Sequence, residues 1–262
     1  PENKDQLIKF LNAIKKNNYK IHILGAGSNT LIRDSGVKGV VIKLSSNFSE
    51  TKLLDNNTIE VGAAALDRKA ADFAKDNSIS GLEFLACIPG TIGGAVIMNS
   101  GCYGSDMSKI LKSVKVIDEN GDIKDIRNDN IEFFYRRTSL SEKYIILSAV
   151  LKGQVSEKKN IEKIQSELIE RKKISQPSRV KTGGSTFKNF DDQKAWTLIK
   201  ESGCDKLSVG DAKISEKHCN FFINNGNAKS SDLEELISQV KKKVLEKTGV
   251  NLELEIQIIG EK

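Results

Sequence analysis

Ser185 is the residue whose setting in the sequence most favours chemistry. It follows two glycines in Lys181-Thr-Gly-Gly-Ser-Thr-Phe-Lys-Asn189, and the motif closes on a cation, Lys188, and an amide, Asn189. A hydroxyl on backbone too poor in side chains to form a packed element could give or take a proton during a reaction. Lysine and asparagine suit an anionic ligand that accepts hydrogen bonds. Gly-Gly-Ser is also the composition of a flexible turn, so the motif alone leaves both interpretations open.

Two glycine-rich loops could hold phosphate groups through backbone N–H donors. The first, Gly25-Ala-Gly-Ser-Asn-Thr30, follows a predicted strand, which is where such a loop belongs. It is not the Rossmann fingerprint, which needs a glycine where Thr30 stands. The second, Pro89-Gly-Thr-Ile-Gly-Gly94, carries a hydroxyl at Thr91, where we expect a short helix to begin. Together they fit a dinucleotide with two phosphates, although the first loop alone is equally typical of a tight turn.

Charged residues at two places could act on a carboxylate or a proton. Tyr135-Arg136-Arg137 follows Phe133-Phe134, and an arginine there could hold a carboxylate with two N–H donors. An arginine beside aromatic residues is also typical of a surface contact. Glu255 lies in the alternating segment 252–259 and shares a predicted face with Glu253. That face could equally be the wet side of an edge strand.

The composition fits an ordinary globular protein. The 262 residues are 38% hydrophobic and 29% charged, with a net charge of +6, which is enough chain for two domains with a sizeable core. The basic residues are spread along the chain, and their densest runs lie in helical patterns, so solvated helix faces explain them. Aromatic residues are not interleaved with them, which argues against a nucleic-acid platform. The positive charge suits anionic small substrates.

Neither a metal site nor a membrane span is indicated. The four cysteines form no Cys-x-x-Cys pair and there are only two histidines, so a zinc site is not expected. Scattered cysteines suit a reducing compartment, and no apolar run reaches the roughly 18–20 residues of a membrane span. We therefore expect a cytoplasmic monomer that binds small molecules and binds neither nucleic acid nor membranes.

Hydrophobic periodicity predicts a mixture of helices and strands. Helices are predicted at 4–18, 66–77, 160–174 and 191–201 and from 232, the last with a capping box at 231–234 and an end at Gly249. Strands are predicted at 21–24, 40–44, 58–62, 113–118, 122–126, 144–151, 206–208, 221–224 and 252–259. The inward faces of the first three helices are predicted to include Phe10, Leu66 and Ile164.

Two stretches stand out from this pattern. Residues 81–104 are apolar and rich in glycine, which predicts either buried backbone against a large flat group or a tightly packed pair of helices. The polar residues 155–180 mark the best candidate domain boundary.

Several motifs occur together in the order of one known family. They are Gly25-Ala-Gly-Ser-Asn-Thr-Leu-Ile-Arg-Asp34, Ile88-Pro-Gly-Thr-Ile-Gly-Gly-Ala-Val-Ile-Met-Asn-Ser-Gly-Cys-Tyr-Gly104, Tyr135-Arg136, Gly184-Ser-Thr-Phe-Lys-Asn189, His218-Cys-Asn-Phe221 and Leu252-Glu-Leu-Glu255. In them the chain closely resembles the UDP-N-acetylenolpyruvoylglucosamine reductases (MurB), flavoenzymes of peptidoglycan precursor synthesis, from about residue 4 to residue 260. Several independent motifs in the right order are a far stronger signal than any one of them.

The resemblance implies an α+β fold with an FAD-binding part of the vanillyl-alcohol-oxidase (PCMH) type. We expect FAD-binding subdomain 1 at 1–48, subdomain 2 at 49–153, a smaller α+β substrate-binding domain at 154–250, and a C-terminal strand returning to the active site at 251–262. The short substrate domain implies the compact type II subfamily. The family's N-terminal Asn-Thr…Gly-Gly element is not found ahead of Pro1. The resemblance therefore implies either a truncated amino end or a lost segment, and in the second case we expect weaker binding of the flavin.

The resemblance also implies a two-stage reaction with non-covalent FAD. NADPH reduces the flavin and leaves, and the enolpyruvyl sugar nucleotide then takes a hydride at C3 and a proton at C2 to give UDP-N-acetylmuramate. Arg136 would stabilise the enolate through the substrate carboxylate. Glu255 would help to polarise the same group, and Ser185 would donate the proton to C2. The Tyr-Arg spacing favours Arg136 over Arg137.

Further site residues are carried over from the family. The expected cofactor-binding residues are Gly25, Ala26, Gly27, Ser28, Asn29, Thr30, Pro89, Gly90, Thr91, Gly93, Gly94, Asn99 and Gly101. The expected substrate-binding residues are Tyr135, Lys188 and Asn189, with the lysine near a phosphate. Two other functions are weighed: a flavin oxidase of the same superfamily, disfavoured because the first loop has no histidine to tether FAD, and a non-catalytic basic module that binds nucleic acid.

Overall fold

A computed structural model of the chain describes residues 1–141, 143–190 and 193–262. The helices in these ranges are α1 (Lys4–Lys16), α2 (Asp67–Asp76), α3 (Ile92–Ile97), α4 (Met107–Ile110), α5 (Lys158–Ser175), α6 (Ala195–Glu201) and α7 (Ser230–Thr248). Short 3-10 helices lie at Ser46–Phe48, Glu83–Cys87 and Asn128–Asn130.

The strands complete the secondary structure of the same ranges. They are β1 (Ile21–Ile23), β2 (Thr30–Ile32), β3 (Val40–Ile42), β4 (Thr51–Asp55), β5 (Thr58–Gly62), β6 (Ile79–Ser80), β7 (Gly101–Cys102), β8 (Ser105–Asp106), β9 (Leu111–Asp118), β10 (Ile123–Arg127), β11 (Phe133–Phe134), β12 (Arg137–Thr138), β13 (Tyr144–Lys152), β14 (Gln154–Val155), β15 (Lys181–Ser185), β16 (Ser208–Val209), β17 (Ala212–Ser215), β18 (His218–Asn224) and β19 (Gln257–Ile259).

The chain folds into two compact units. Unit 1 comprises Pro1–Ala26 and Gly39–Arg171, and unit 2 comprises Gly27–Lys38 and Lys172–Lys262. The division after Arg171 lies within the polar residues 155–180 that the sequence marks as a boundary. The finer four-part division expected from the family stays a prediction.

Unit 1 is built around a five-stranded antiparallel sheet. Its strand order is β10-β9-β13-β5-β4, and the predicted hairpin at 113–118 and 122–126 is confirmed as β9 and β10. The central strand β13 is buried along most of its length, as expected when both faces of a sheet are covered. One face contributes to a core with α2 and α3, and the other to a second core with α1. Beside the sheet, β1 and β3 form a parallel pair.

Three predicted core positions in unit 1 are wrong. Phe10 is 48% exposed, Leu66 51% and Ile164 41%. On α1 the buried stripe is limited to Leu7, Leu11 and Ile14, so Phe10 lies beyond its edge. Leu66 precedes α2 as its N-cap in an extended conformation, and its side chain therefore points away from the helical face.

Unit 2 is a four-stranded antiparallel sheet that packs against two helices. The strand order is β15-β18-β17-β16, and α6 and α7 contribute to its core. Phe187 and Phe222 meet edge to face at 5.7 Å between ring centroids, an arrangement that aromatic pairs favour. The parallel pair β2 and β19 also belongs to this unit.

The structure corrects two boundaries of unit 2. Helix α7 begins at Ser230, where the Lys229 N–H donates to Asp232 Oδ2 at 2.9 Å, so the capping box predicted at 231–234 is wrong. Its predicted end is confirmed, because Gly249 takes a φ of +75°. The strand predicted at 252–259 is reduced to β19, since the chain bends before it.

The helix predicted at 191–201 appears as α6, and residues 191 and 192 lie outside the described residues. In the part of the chain that the structure describes, no helix combines the length and the apolar character that crossing a bilayer requires.

Candidate active site

The segment that carries Ser185 is a strand, which corrects the expectation of an unpacked segment. β15 pairs with β18, and its register shifts between Thr182 and Ser185, where the strand bulges. Gly184 lies in the bulge with a φ of +84°, a conformation that glycine adopts without strain. Bulges re-aim the side chain that follows them, so the two glycines of the motif set the direction of the half-buried Ser185.

Asn220 fixes the chain immediately after Ser185. The Phe187 N–H donates to Asn220 Oδ1 at 2.9 Å, and Asn220 Nδ2 donates to the Phe187 carbonyl at 2.8 Å. The Thr186 N–H donates to the Asn220 carbonyl at 2.7 Å. The Asn220 side chain is only 3% exposed. Asn220 lies within one of the family motifs and was given no role from the sequence, although an amide among the apolar residues of the strand was the available signal.

The C-terminal segment brings Glu255 next to the same stretch. The Glu255 N–H donates to the Thr186 carbonyl, and the Lys188 N–H donates to the Glu253 carbonyl, both at 2.9 Å. Glu255 is half-buried, whereas Glu253 is exposed. The bend in the chain breaks the alternation that placed both on one face. A backbone hydrogen bond thus joins Glu255 to the residue that follows Ser185.

The second half of the first glycine loop joins this group. Asn29 Nδ2 donates to the Glu255 carbonyl at 3.0 Å, and the Gln257 N–H donates to the Asn29 carbonyl at 2.9 Å. The Ser28 carbonyl lies 3.7 Å from the position that a Cβ at Gly184 would take. Gly27 takes a φ of +75° and starts the turn in which the Thr30 N–H donates to the Gly27 carbonyl.

The two polar residues of the serine motif already have protein partners. Lys188 Nζ lies 3.1 Å from Glu253 Oε2, and Asn189 Oδ1 accepts a hydrogen bond from the Ala195 N–H at 3.1 Å. Asn189 therefore supports the start of α6. Their contacts with a substrate stay predictions.

In unit 1 the first half of the glycine loop meets the second loop. A Cβ at Gly25 would lie 2.6 Å from Thr91 Oγ1, so only glycine fits beside the threonine. Ala26 is exposed. Thr91 is the N-cap of α3 in an extended conformation, which confirms the predicted helix start and leaves Pro89 exposed ahead of it.

The glycines at the start of α3 face opposite ways. A Cβ at Gly93 would come within 3.1 Å of Ala63 Cβ and 3.3 Å of its carbonyl oxygen, whereas one at Gly94 would meet only Thr91 Oγ1 at 3.6 Å. Gly93 therefore packs inward and Gly94 borders open space. This resolves the apolar stretch 81–104 into a 3-10 turn, a loop, a single short helix and the hairpin of β7 and β8.

Asn99 and Gly101 have structural tasks that explain their residue types. Asn99 Nδ2 donates to the Phe134 carbonyl at 3.2 Å and its Oδ1 accepts from the Ser108 N–H at 3.0 Å. A Cβ at Gly101 would overlap the Ser105 carbonyl oxygen. Both residues hold α3 and its surroundings in place, and direct contact with a cofactor stays a prediction.

Arg136 lies at the tip of a hairpin that α3 supports. The loop between β11 and β12 is Tyr135-Arg136, and Arg136 takes a left-handed φ of +58°. Such a φ is uncommon for residues other than glycine and occurs often at functional sites. Its guanidinium carbon lies 4.6 Å from the Tyr135 ring centroid. Arg136 is half-buried while Arg137 is exposed, which supports the choice of Arg136.

A buried carboxyl under the second loop was missed by sequence reasoning. Asp67 is 0% exposed, and burial raises its pKa to about 8. An aspartate in the first turn of a helix is ordinarily an exposed residue that interacts with the helix dipole, so its type and position carry no sign of burial.

Comparison with known proteins decides the family. The FAD binding domain family matches residues 1–127, and the UDP-N-acetylenolpyruvoylglucosamine reductase C-terminal domain matches residues 176–259. The UDP-N-acetylenolpyruvoylglucosamine reductase of Pelagibacter ubique is 50% identical over 99% of this chain and 86% of its own length. That of Gluconobacter oxydans is 44% identical over 100% of this chain and 85% of its own length. The chain belongs to the UDP-N-acetylenolpyruvoylglucosamine reductase family.

A solved structure of this family agrees with the fold. The reductase of Thermus caldophilus superposes with a TM-score of 0.85 and is 33% identical, with 98% of this chain and 90% of the other covered. The resemblance and the α+β, FAD-binding fold predicted from the sequence are confirmed. The assignment to the compact subfamily stays a prediction.

The residues of unit 1 fit FAD. Thr91 Oγ1 occupies the space that a side chain at position 25 would need, and the backbone of Gly94 borders open space. The N–H groups of Thr91 and Gly94 have no acceptor within the described residues. Unpaired N–H groups beside glycines are what a diphosphate requires, so these two loops are suited to hold that part of the cofactor.

Proposed function

We propose that this chain reduces the enolpyruvyl ether of UDP-N-acetylenolpyruvoylglucosamine to the lactyl ether of UDP-N-acetylmuramate. It uses non-covalently bound FAD, with NADPH as the electron donor. The observation that carries the proposal is the 44–50% identity to reductases of this name over 99–100% of the chain, which includes both the flavin domain and the C-terminal domain. The monomeric state and cytoplasmic location expected from the sequence stay predictions.

Arg136 stabilises the charge that the reaction creates. Reduced FAD, when bound, supplies a hydride to C3 of the enolpyruvyl group, and negative charge then spreads from C2 into the substrate carboxylate. A guanidinium offers that carboxylate two parallel N–H donors, and stabilising charge that develops in the transition state is a large catalytic effect. The left-handed backbone and partial burial of Arg136 support this role.

Ser185 donates the proton to C2. The support for this role is its position after a bulge and immediately before Thr186 and Phe187, which Asn220 fixes by hydrogen bonds. A serine hydroxyl is a weak acid, so the alkoxide that it becomes needs hydrogen-bond donors from the substrate or the protein. Glu255, whose N–H is bonded to the residue after Ser185, helps to polarise the substrate carboxylate.

The net charge of the chain agrees with its substrates. NADPH and the sugar nucleotide are both polyanions, and a chain with a net charge of +6 raises the local concentration of anions and their rate of association. Binding of both substrates should therefore weaken as salt increases.

The test of the reaction uses the purified flavoprotein without oxygen. NADPH should bleach the flavin absorbance, and the enolpyruvyl sugar nucleotide added next should restore it while the lactyl product forms. The proposal fails if NADPH bleaches the flavin and the sugar nucleotide leaves it reduced. An enolpyruvyl ether without the nucleotide serves as the control for specific binding.

A further inference from the structure

Asp67 is a buried carboxyl that the proposed reaction does not use. It is the first residue of α2 and is 0% exposed. Within the described residues, neither of its carboxyl oxygens has a hydrogen-bond partner. Burying a polar group without a partner is unfavourable, and burying a charge is more so. An aspartate at this position therefore lowers the stability of the fold, which directs attention to a role in the adjacent site.

The carboxyl lies directly under the second glycine loop. A Cβ at Gly90 would lie 2.5 Å from Asp67 Oδ2, and the Gly90 backbone is not in the left-handed region. Glycine is therefore needed at position 90 because the carboxyl occupies the space, not because of backbone conformation. The Asp67 N–H also donates to the Gly90 carbonyl at 3.1 Å.

Residues 63–67 and 90–93 form a short antiparallel ladder that continues this contact. The Ile92 N–H donates to the Ala65 carbonyl and the Gly93 N–H to the Ala63 carbonyl, both at 2.9 Å. Thr91 is paired with Leu66 between these bonds, so its own N–H points away from the ladder. One side of the loop thus rests on Asp67, and the other side presents the N–H groups assigned above to the diphosphate.

We propose that Asp67 is a positioning residue for the cofactor, and that its carboxyl has to carry a proton for loop 89–94 to take up the flavin diphosphate. The proposal rests on the assignment of that loop to the diphosphate made above. A protonated carboxyl is neutral, fills the space under Gly90 and leaves the loop N–H groups to the phosphates. A carboxylate there would repel the diphosphate and draw the N–H of Gly90 towards itself.

The segments that pack directly against the Asp67 carboxyl contribute no other group that titrates. The segment 63–66, the loop 88–91 and α3 contain no titratable side chain. On α2 itself, Arg68 and Lys69 are exposed. The main cause of the raised pKa of Asp67, about 8, is burial. The nearby Gly90 N–H lowers the pKa, although its geometry falls short of a hydrogen bond to either carboxyl oxygen.

The charged side chains on the neighbouring 3-10 helix and on α5 have other partners. Glu83, on the 3-10 turn packed against α2, accepts hydrogen bonds from Ser80 Oγ at 2.7 Å and the Gly81 N–H at 2.8 Å. On α5, Lys158 pairs with Asp76 at the far end of α2. Cys87 ends the same 3-10 turn, and its thiol is kept unchanged in every variant compared.

The test measures FAD affinity of the apoprotein against pH, by the quenching of flavin fluorescence. The native protein should bind FAD about tenfold more weakly at about pH 9 than at pH 7, because only the protonated carboxyl accepts the cofactor. Asp67→Asn keeps the shape of the neutral acid, so it should bind FAD with the same affinity at both pH values. Asp76→Asn, an exposed change on the same helix, should behave like the native protein.

Calorimetry of the native protein gives an answer that needs no variant. At about pH 9, FAD binding should take up close to one proton, measured from the binding heat in buffers of different ionisation enthalpy. No proton uptake, or the same pH dependence in Asp67→Asn as in the native protein, overturns the proposal. Gly94→Ala distinguishes the two assignments. If this variant binds FAD normally, the assignment of the loop to the diphosphate is wrong. If it binds FAD weakly but the native protein shows no pH dependence, only the role of Asp67 is refuted.

Discussion

At the scale of single residues, Gly93 and Gly94 separate folding from cofactor binding. Gly93→Ala places a methyl 3.1 Å from Ala63 Cβ, so we expect it to lower the free energy of unfolding by about 1–2 kcal/mol, as overpacking does. Gly94→Ala meets no close neighbour in the chain and should not destabilise the apoprotein, since alanine favours a helix more than glycine does. Since its methyl enters the space proposed for the diphosphate, it should weaken FAD binding at least about tenfold.

Urea unfolding of the two apoproteins and flavin titrations check this pair. The interpretation of the loop is contradicted if Gly94→Ala destabilises the apoprotein as much as Gly93→Ala does, or if it binds FAD like the native chain. Because the two substitutions are chemically identical and adjacent, differences in helix propensity largely cancel.

Asp67 predicts a second effect at the same scale, on stability rather than on binding. The pKa of its carboxyl is raised from 3.8 to about 8 by burial, so between these values the unfolded chain has lost a proton that the folded chain keeps. Stability therefore falls as pH rises through this window and levels off above about pH 8. The cost is on the order of 4 kcal/mol at pH 7, since each pH unit in the window contributes about 1.4 kcal/mol.

Asp67→Asn removes this linkage because an amide does not titrate. The free energy of unfolding of the variant relative to the native protein should rise by roughly 1.4 kcal/mol per pH unit between about pH 4.5 and 7.5. A difference that stays constant with pH in urea titrations would show that the carboxyl is ionised in the folded protein.

At the scale of elements, Asn220 on β18 determines where β15 presents Ser185. Asn220→Ala leaves the N–H and carbonyl of Phe187 without their side-chain partner, and unpaired buried groups cost about 1–3 kcal/mol each. We expect the unfolding free energy to fall by about 2–4 kcal/mol. The step that oxidises the flavin should slow because the serine shifts, while the reduction by NADPH should not.

Stopped-flow measurement of the two half-reactions tests this expectation, with Asn227→Ala, an exposed change in the same unit, as the control. Equal slowing of both half-reactions would mean that Asn220 only holds the fold together.

The elements also show what could be predicted from sequence. Helices with a long apolar stripe and the strands β5, β9, β10 and β13 were predicted correctly, because their signal is local. β15 was not predicted, since it contains two glycines, a residue type that is rare in strands. Its pairing also depends on β18, more than thirty residues away.

The candidate site divides along the same line. Ser185, Arg136, Glu255 and the glycine loops could be proposed as site residues because their types and order match a family. Asn220 and Asp67 were missed because their importance comes from burial, which their positions in the sequence do not reveal.

At the scale of the whole molecule, the segment Gly27–Lys38 belongs to unit 2 although the residues before and after it belong to unit 1. Arg33 ties it to α7, donating to both carboxylate oxygens of Glu234 at 2.8 Å. The Arg33 guanidinium lowers the pKa of Glu234 below its usual range. This pair therefore stabilises the folded chain above the ordinary glutamate pKa, and that contribution is lost as pH falls through the lowered value.

Glu234→Gln should consequently reduce the urea midpoint at neutral pH and change it much less in acid below the lowered pKa, where the native carboxyl is protonated as well. The control is Glu235→Gln, an exposed neighbour on α7. An equal loss at both pH values would show that the pair acts through packing and not through charge.

The whole chain combines a flavin domain with a C-terminal domain that carries the proposed proton donor. Reduction of the flavin and its reoxidation by the substrate can therefore be measured separately. Ser185→Ala is the most direct test. With the FAD-loaded variant kept free of oxygen, NADPH should reduce the flavin at close to the native rate. The enolpyruvyl sugar nucleotide should then reoxidise it roughly a thousandfold more slowly than in the native enzyme, as expected for the loss of a proton donor. Reoxidation of the Ser185→Ala flavin at the native rate would contradict the account.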